Sequence, residues 1–291
     1  MHYILFDEPI LRDALKPLSL TRPIGDFRIG IQKISEKWIP YFGPSLGHLS
    51  EEYLAPKFAP SSVPSEPITY INAALLANEG LARAIRSLEE EAGLIQAGRL
   101  LAIKTSATLR YPLTAPLAKV VNYEGTSTFL AHITDLYRLN GQAIRADFEQ
   151  LTKSRSSQEI RDTPSIVYNP EQVFLEEGVT MRACILNAEN GPIYLGKNAK
   201  ISEGAILIGP ISIGEGAVVN PGAKLRGDTT IGPYCKVGGE ISNSVLQAFS
   251  NKGHEGFIGN SLLGEWCNLG ADTNSSNLKN NSKFSLSCSY F

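Results

Sequence analysis

Between Leu195 and Val237 every sixth residue is aliphatic: Leu195, Ile201, Leu207, Ile213, Val219, Leu225, Ile231 and Val237. Four positions after the first seven stand Ala199, Ala205, Ile211, Ala217, Ala223, Thr229 and Cys235, small in all cases but one. Glycine or proline recurs at the turns, as in Gly196, Gly204, Gly209-Pro210, Gly214, Gly216, Pro221-Gly222 and Gly232-Pro233. This period dictates a triangular coil with a short strand on each side and a tight turn at each corner. One aliphatic side chain per side fills the narrow prism, and small residues fit where the corners leave no volume. Glycine accepts the turn dihedrals that other residues avoid. The strands of an ordinary sandwich have no reason to hold phase over eight steps. Leu175 and Met181 keep the step upstream, with an offset at Asn187 to Pro192, and Phe257, Leu263 and Leu269 resume it downstream. From Gly239 to Gly256 the rhythm breaks. A solenoid takes insertions as loops leaving a corner, where sites usually sit, so a loop is expected there.

The 291 residues suffice for two domains with cores of ordinary size. Residues 1–151 read as an α/β domain, 152–165 as a polar linker and 166–291 as a parallel β-helix. In the first region Tyr3 to Phe6, Arg99 to Lys104 and Ala118 to Tyr123 read as strands. Asn78 can cap a helix whose apolar face is Leu81, Ala84, Ile85 and Leu88. A second helix is expected from Phe129 to Leu139, ending near Asn140-Gly141. Ala55 to Pro67, with four prolines, reads as a loop.

The formal net charge is −2 and no basic stripe with interleaved aromatics appears, which argues against nucleic acid as a partner. Cys184, Cys235, Cys267 and Cys288 form no C-x-x-C pair and no metal-ligand spacing, as expected of buried reduced thiols. No apolar run approaches a membrane span, and the short apolar start before Asp7-Glu8 does not fit a signal peptide. A cytoplasmic enzyme or binding protein, with no membrane partner, is the expectation.

Among residues able to do chemistry, His254 lies between two glycines, Gly253 and Gly256, just before the repeats resume. It can take a proton from an amine near pH 7, or it can be a solvated loop histidine. Asn268 and Asn277 can orient a substrate, or they can form asparagine ladders along the coils. Near the start, Arg22 and Arg28 can pair with phosphate oxygens, and Asp7, Asp26 and Asp135 can help hold Mg²⁺. Surface salt bridges are the simpler reading of each taken singly. No glycine-rich phosphate cradle is visible.

Lys16-Pro17-Leu18-Ser19-Leu20-Thr21-Arg22-Pro23 resembles the P-L-T-x-x-R-P-K stretch of sugar-phosphate nucleotidyltransferases. The hexapeptide run resembles hexapeptide acyltransferases. In this order the two parts are similar to the bifunctional N-acetylglucosamine-1-phosphate uridyltransferase and glucosamine-1-phosphate N-acetyltransferase family. Ile185 to Gly196 and Gly264 to Ala271 look like a bacterial variant group of it, whose nucleotidyltransferase half is short and degenerate. The resemblance implies a left-handed β-helix, a homotrimer, and transfer of a nucleotidyl group from UTP or dTTP to a sugar 1-phosphate. It also implies acetyl transfer from acetyl-CoA to glucosamine 1-phosphate, with Mg²⁺ and acetyl-CoA as cofactors. His254 would be the general base, and Lys252, Phe257, Asn268 and Asn277 would bind acyl donor or acceptor. Lys16, Arg22, Asp26 and Arg28 would bind nucleotide or phosphate, and Asp7 and Asp135 the metal.

The chain departs from that pattern in several places. Asn220 and Ser242 stand where the acetyltransferase has the arginine and lysine that hold the acceptor phosphate. The L-x-A-G-x-G-T-R loop is missing, and Ile24 replaces the lysine of R-P-K. The last residues, Ser282 to Phe291, carry no repeat and read as a truncated end to the β-helix. A sugar acyltransferase alone, or a non-catalytic trimer that binds a nucleotide sugar, stays open beside the bifunctional reading.

Overall fold

The computed structural model describes residues 2–60, 67–114 and 117–275. They form two compact units, one of residues 1–27 and 32–133, the other of 28–31 and 134–291.

The second unit is a parallel β-helix, two of its faces carrying six strands and the third five. All eight aliphatic residues of the six-step run, Leu195 to Val237, are at most 2% exposed. The small residues four positions on are fully buried, from Ala199 to Cys235. Parallel pairing stacks the inward residues in columns. One column runs Leu175, Leu195, Ile213, Ile231, Leu246 and Leu263. A second runs Leu186, Leu207, Leu225, Ile241 and Ile258. Each coil buries several aliphatic side chains, worth about 1.5–3 kcal/mol apiece relative to exposure.

The expected loop from Gly239 to Gly256 is instead part of the solenoid. Strands Glu240–Ser242, Val245–Ala248 and Asn251–Lys252 continue all three faces. The rhythm breaks because corners are trimmed: Ile241 follows Val237 by four residues and Leu246 follows Ile241 by five. The trimming also shifts the downstream phase. Ile258 points inward and is 2% exposed, whereas Phe257 is half-buried.

One corner carries residues at positive φ in successive coils: Gly178, Asn198, Gly216, Tyr234, Phe249 and Trp266. Glycine and asparagine are the usual occupants of such a slot. The last three positions carry aromatics that stack face to face, 5.5 and 4.7 Å between centroids.

The long helix here, α3 (Asn140–Thr152), is not where the sequence placed one. Thr128–Phe129 is a strand, Asp135–Arg138 a single turn, and Asn140–Thr152 the long helix. Asn140-Gly141 therefore begins a helix rather than ending one. Asn140 is fully buried. Its Nδ2 donates to the Asp228 carbonyl, 2.9 Å, and its Oδ1 accepts the Gly30 amide, 2.7 Å. The α3 side chains Ile144 and Phe148 pack on the outward residues Phe174 and Tyr194 of one β-helix face, together with Ile31. This is why that face is buried on both sides, in strands Val173–Leu175, Ile193–Leu195, Ile211–Ile213 and Thr229–Ile231.

Residues 28–31 are held to this unit by polar side chains. The Gln247 amide brackets Arg28, accepting its N–H at 2.6 Å and donating to its carbonyl at 3.0 Å. Asp147 accepts the Ile31 amide at 2.8 Å, and Thr230 Oγ1 donates to the Gly30 carbonyl at 2.8 Å.

The expected linker is likewise stitched on. The Gln158 amide N–H donates to the Leu175 carbonyl, 2.8 Å, and Ile160 packs on the β-helix core. A cover of this kind shields the apolar end that a solenoid otherwise exposes. The second compact unit takes in residue 134 onward, α3 burying its apolar face on the solenoid. The expected truncated end falls in residues 276–291, outside the described residues.

The first unit is built on a six-stranded sheet. Its strands are β1 (Tyr3–Phe6), β2 (His48–Leu49), β3 (Ile68–Asn72), β4 (Ala92–Gln96), β5 (Arg99–Thr105) and β6 (Lys119–Asn122). The spatial order is β2-β1-β3-β5-β4-β6. β2, β1 and β3 are parallel; β5 is antiparallel to both β3 and β4. β4 and β6 are parallel. The two parallel groups end at the same edge of the sheet. β1 and β3 are buried throughout. Helix α1 (Pro9–Ala14) follows β1, and α2 (Glu79–Arg86) is capped by Asn78, whose Oδ1 accepts the Leu81 amide at 2.8 Å. Ala55–Phe58, within the expected proline loop, forms a short helix; residues 61–66 lie outside the description.

Candidate functional site

The carboxyl ends of parallel strands are where α/β sheets bind ligands, because the loops there leave the core together. In the first unit that edge gathers Asp7 and Glu8 after β1, Ser50 and Glu51 after β2, and Asn72 at the end of β3. Arg99, at the start of antiparallel β5, reaches the same edge.

Asp7 is fully buried and fully engaged. Its Oδ2 accepts from Arg12 at 2.8 Å and from Ser50 at 2.6 Å, and its Oδ1 accepts the Ile24 amide at 3.0 Å. Burial pushes its carboxyl above the usual range, against the pull of Ser50 and Arg12. Arg12, 3% exposed, also donates to the carbonyls of Ser19 and Arg22, to Ser50 Oγ and to the Tyr53 hydroxyl. Glu51 and Tyr111 lie beside this knot. Burial, then the Glu51 carboxylate, pushes the Tyr111 phenol up to about 12.

A second group surrounds Asp26. Its carboxylate binds Arg22 at 3.2 Å and Lys33 at 2.5 Å. His48 stands close by: a Cβ on Gly25 would lie 2.7 Å from its Cε1. His48 Nδ1 is buried without a hydrogen-bond partner among the described residues. Burial lowers the His48 pKa to about 4, opposed by Asp26 and reinforced by Lys33. The folded protein therefore refuses a proton that the unfolded chain takes up near 6.5. Stability is full above pH 6.5 and falls as the pH drops from there toward 4. Each pKa unit is worth about 1.4 kcal/mol. His48 is half-buried, so the expected loss is on the order of 2 kcal/mol. Denaturant melts at pH 7 and pH 4.5 on wild type and His48→Gln will read it, and the variant should lose most of that slope.

A third group is the most open. Glu8 Oε2 accepts from Asn72 Nδ2 at 3.0 Å and lies 3.6 Å from Arg99 Nε. The Arg99 guanidinium rests on the Phe129 ring, 5.1 Å from its centroid, with its side chain 35% exposed. A stacked guanidinium with free edges is suited to phosphate oxygens. Arg12, Lys33, His48, Arg99 and Phe129 carry no motif; only the folded arrangement brings them to these groups.

Arg22 lies in the first unit beside Asp26, while Arg28 lies in the second, its guanidinium donating to the Ile31 carbonyl. Lys16 pairs with Asp13 at 2.8 Å on the surface. Asp7 and Asp135 fall in different units. Both Asp7 oxygens are already taken and its charge is offset by Arg12, so this residue does not fit a Mg²⁺ ligand. No group of three or more His, Cys, Asp or Glu able to hold a metal ion occurs among the described residues.

On the β-helix, His254 is exposed in the turn after Lys252. Lys252 is itself fully buried, in the column below Val237. Its ammonium points to backbone carbonyls rather than outward. Asn268 Oδ1 accepts Asn251 Nδ2 at 2.7 Å, a rung of an asparagine ladder. The Phe257 amide donates to Asn274 Oδ1 at 2.7 Å. Asn277 lies outside the described residues.

Residues 3–156, slightly more than half of the chain, match the sequence model of the sugar nucleotidyl transferase family. The chain belongs to that family. No curated protein matches it significantly. The matched stretch covers the whole sheet of the first unit and continues through α3. A sugar nucleotidyl transferase domain thus stands before a parallel β-helix. No helix among the described residues is long and apolar enough to cross a membrane.

Proposed function

We propose that this family member transfers a nucleotidyl group from UTP or dTTP to a sugar 1-phosphate, with N-acetylglucosamine 1-phosphate the first candidate. The observation that carries the reading is the family match over residues 3–156, which includes the whole charged edge of the sheet. In this reaction a phosphate oxygen of the sugar 1-phosphate attacks the α-phosphorus of the triphosphate, and pyrophosphate leaves. Catalysis rests on positioning the two phosphates and on cations that balance the charge spread over the equatorial oxygens. Arg99 is the cation at the edge with open donors and a ring to hold its plane. Arg12 is spent on Asp7 and the neighbouring carbonyls, so it shapes the floor of the site. Asp7, with both oxygens taken, does not fit as a Mg²⁺ ligand; a Mg²⁺ brought in with the triphosphate would supply charge neutralisation. Acetyl transfer from acetyl-CoA to glucosamine 1-phosphate, with His254 as base, is proposed as a second activity in a side-by-side homotrimer. It is favoured by the exposed imidazole at the head of a repeat.

Pyrophosphate release from UTP or dTTP with a panel of sugar 1-phosphates tests the first activity. Arg99→Ala is expected to lower kcat/KM by about 100-fold, the scale for one lost charge-stabilising donor. Arg99→Lys should recover only part, since an ammonium lacks the planar fork. Absence of pyrophosphate with every pair would sink the reading.

A further inference from the structure

The inward column of one β-helix face runs Met181, Ile201, Val219 and Val237, and then reaches Lys252. A lysine in an apolar stack is a costly choice unless its ammonium is satisfied. Lys252 is 0% exposed, and its Nζ has three carbonyl acceptors: Gly238 at 3.2 Å, His254 at 2.6 Å and Glu255 at 3.3 Å. Three protons thus meet three acceptors, and the ammonium is filled. Two of those carbonyls belong to the turn that carries the exposed His254. Carbonyl dipoles converging on one point repel one another, so this turn needs a cation at its centre. The backbone is drawn in tightly around it. Gly239, at φ +66°, leaves no room for a Cβ, which would lie 2.7 Å from the Gly256 carbonyl oxygen and 3.0 Å from that of His254.

We propose that Lys252 is a positioning residue: its buried ammonium acts as an internal cation that pins the 253–256 turn and sets the His254 imidazole outward. The side chain does not reach an acceptor molecule, as the sequence had suggested; it acts through the backbone. The Glu255 and Asp272 carboxylates favour its charged form against the effect of burial. The inference concerns the turn and stands whether or not His254 serves acetyl transfer.

Lys252→Met in the full chain is the test, because methionine can fill the column without the charge. The variant is expected to stay folded, since methionine fills the column, but with a lower melting temperature, since three backbone carbonyls lose their donor. Amide hydrogen exchange at residues 253–256 should speed up at least tenfold, while Ile241 and Leu246 keep wild-type protection. The His254 ring resonances should broaden or move toward free-histidine shifts. Exchange in the turn within twofold of wild type, with unchanged ring resonances, would overturn the proposal. If the variant does not fold, wild-type ¹⁵N-lysine spectra decide. A slowly exchanging Nζ ammonium signal that disappears in the conservative Lys252→Gln variant supports it. No protected ammonium signal refutes it.

Discussion

Arg12→Met is expected to lower the free energy of unfolding by about 3–5 kcal/mol, the usual cost of removing one partner from a buried pair. Arg12 and Asp7 are 3% and 0% exposed, so neither recovers solvation when the other is lost. The guanidinium also satisfies the carbonyls of Ser19 and Arg22 and meets Ser50 and Tyr53, all of which a methionine leaves with fewer donors. The defect has a pH signature. Arg12 is one of the groups that hold the Asp7 carboxyl down against burial. Without it the folded-state pKa rises further, and the penalty grows as the pH rises through the carboxylate range. At pH 3, where Asp7 is protonated in both states, the variant should lie nearer wild type than at pH 7. Adding Asp7→Asn to Arg12→Met should return part of the loss at pH 7. Guanidinium-chloride melts of the four proteins give the coupling directly. A single variant within 1 kcal/mol of wild type at pH 7 would mean that the knot is not the anchor described above.

Gly30→Ala should cost roughly 2–4 kcal/mol, combining left-handed strain with overpacking. Gly30 has φ +72°, and a Cβ there would lie 2.5 Å from Asp147 Oδ2 and 2.8 Å from the backbone carbon of Ala143. The side-chain oxygen cannot simply swing away, because it accepts the Ile31 amide. The backbone of α3 cannot yield without disturbing Ile144 and Phe148. Gly98 provides the control. It has φ +78° in the turn between β4 and β5, yet nothing lies within 4 Å of its added Cβ. Gly98→Ala should therefore lose only about 1 kcal/mol, the backbone part alone. Equal losses at the two sites would remove the packing argument for Gly30.

The two halves of the chain differ in how far their residues announced the structure. In the β-helix each inward position is fixed by local spacing, so Leu195 to Val237 could be placed one by one. That rule fails where corners are trimmed, because the spacing of four and then five residues erases the period while leaving the coil intact. Lys252 was misplaced for a related reason. A lysine reads as a surface residue unless the carbonyls that satisfy it are known, and these come from the fold. In the first unit, Asp7 looked like a metal ligand because a carboxylate after a buried strand often is one. Its partner Arg12 sits five residues on, in a helix that carries no motif. That Arg28 belongs with the second unit was likewise not legible, because the residues that hold it, such as Gln247, come from the fold. Arg99 was invisible in the sequence because its significance comes from β5 running antiparallel, which brings its first residue to the carboxyl edge.

Residues 28–31 have a consequence for how this chain is made and inherited. They leave the ribosome long before their partners: Asn140 lies 110 residues further on, and Gln247 lies 219 residues beyond Arg28. Until Asn140 and Asp147 emerge this short piece has none of these partners, and its place in the solenoid is completed only after the coil containing Gln247 has emerged. The same path makes the protein resistant to shuffling. A single crossover between positions 31 and 134 would graft a foreign strand opposite Gln247, Asp147 and Asn140, so the solenoid cannot travel to another gene as a contiguous cassette without losing a piece of itself.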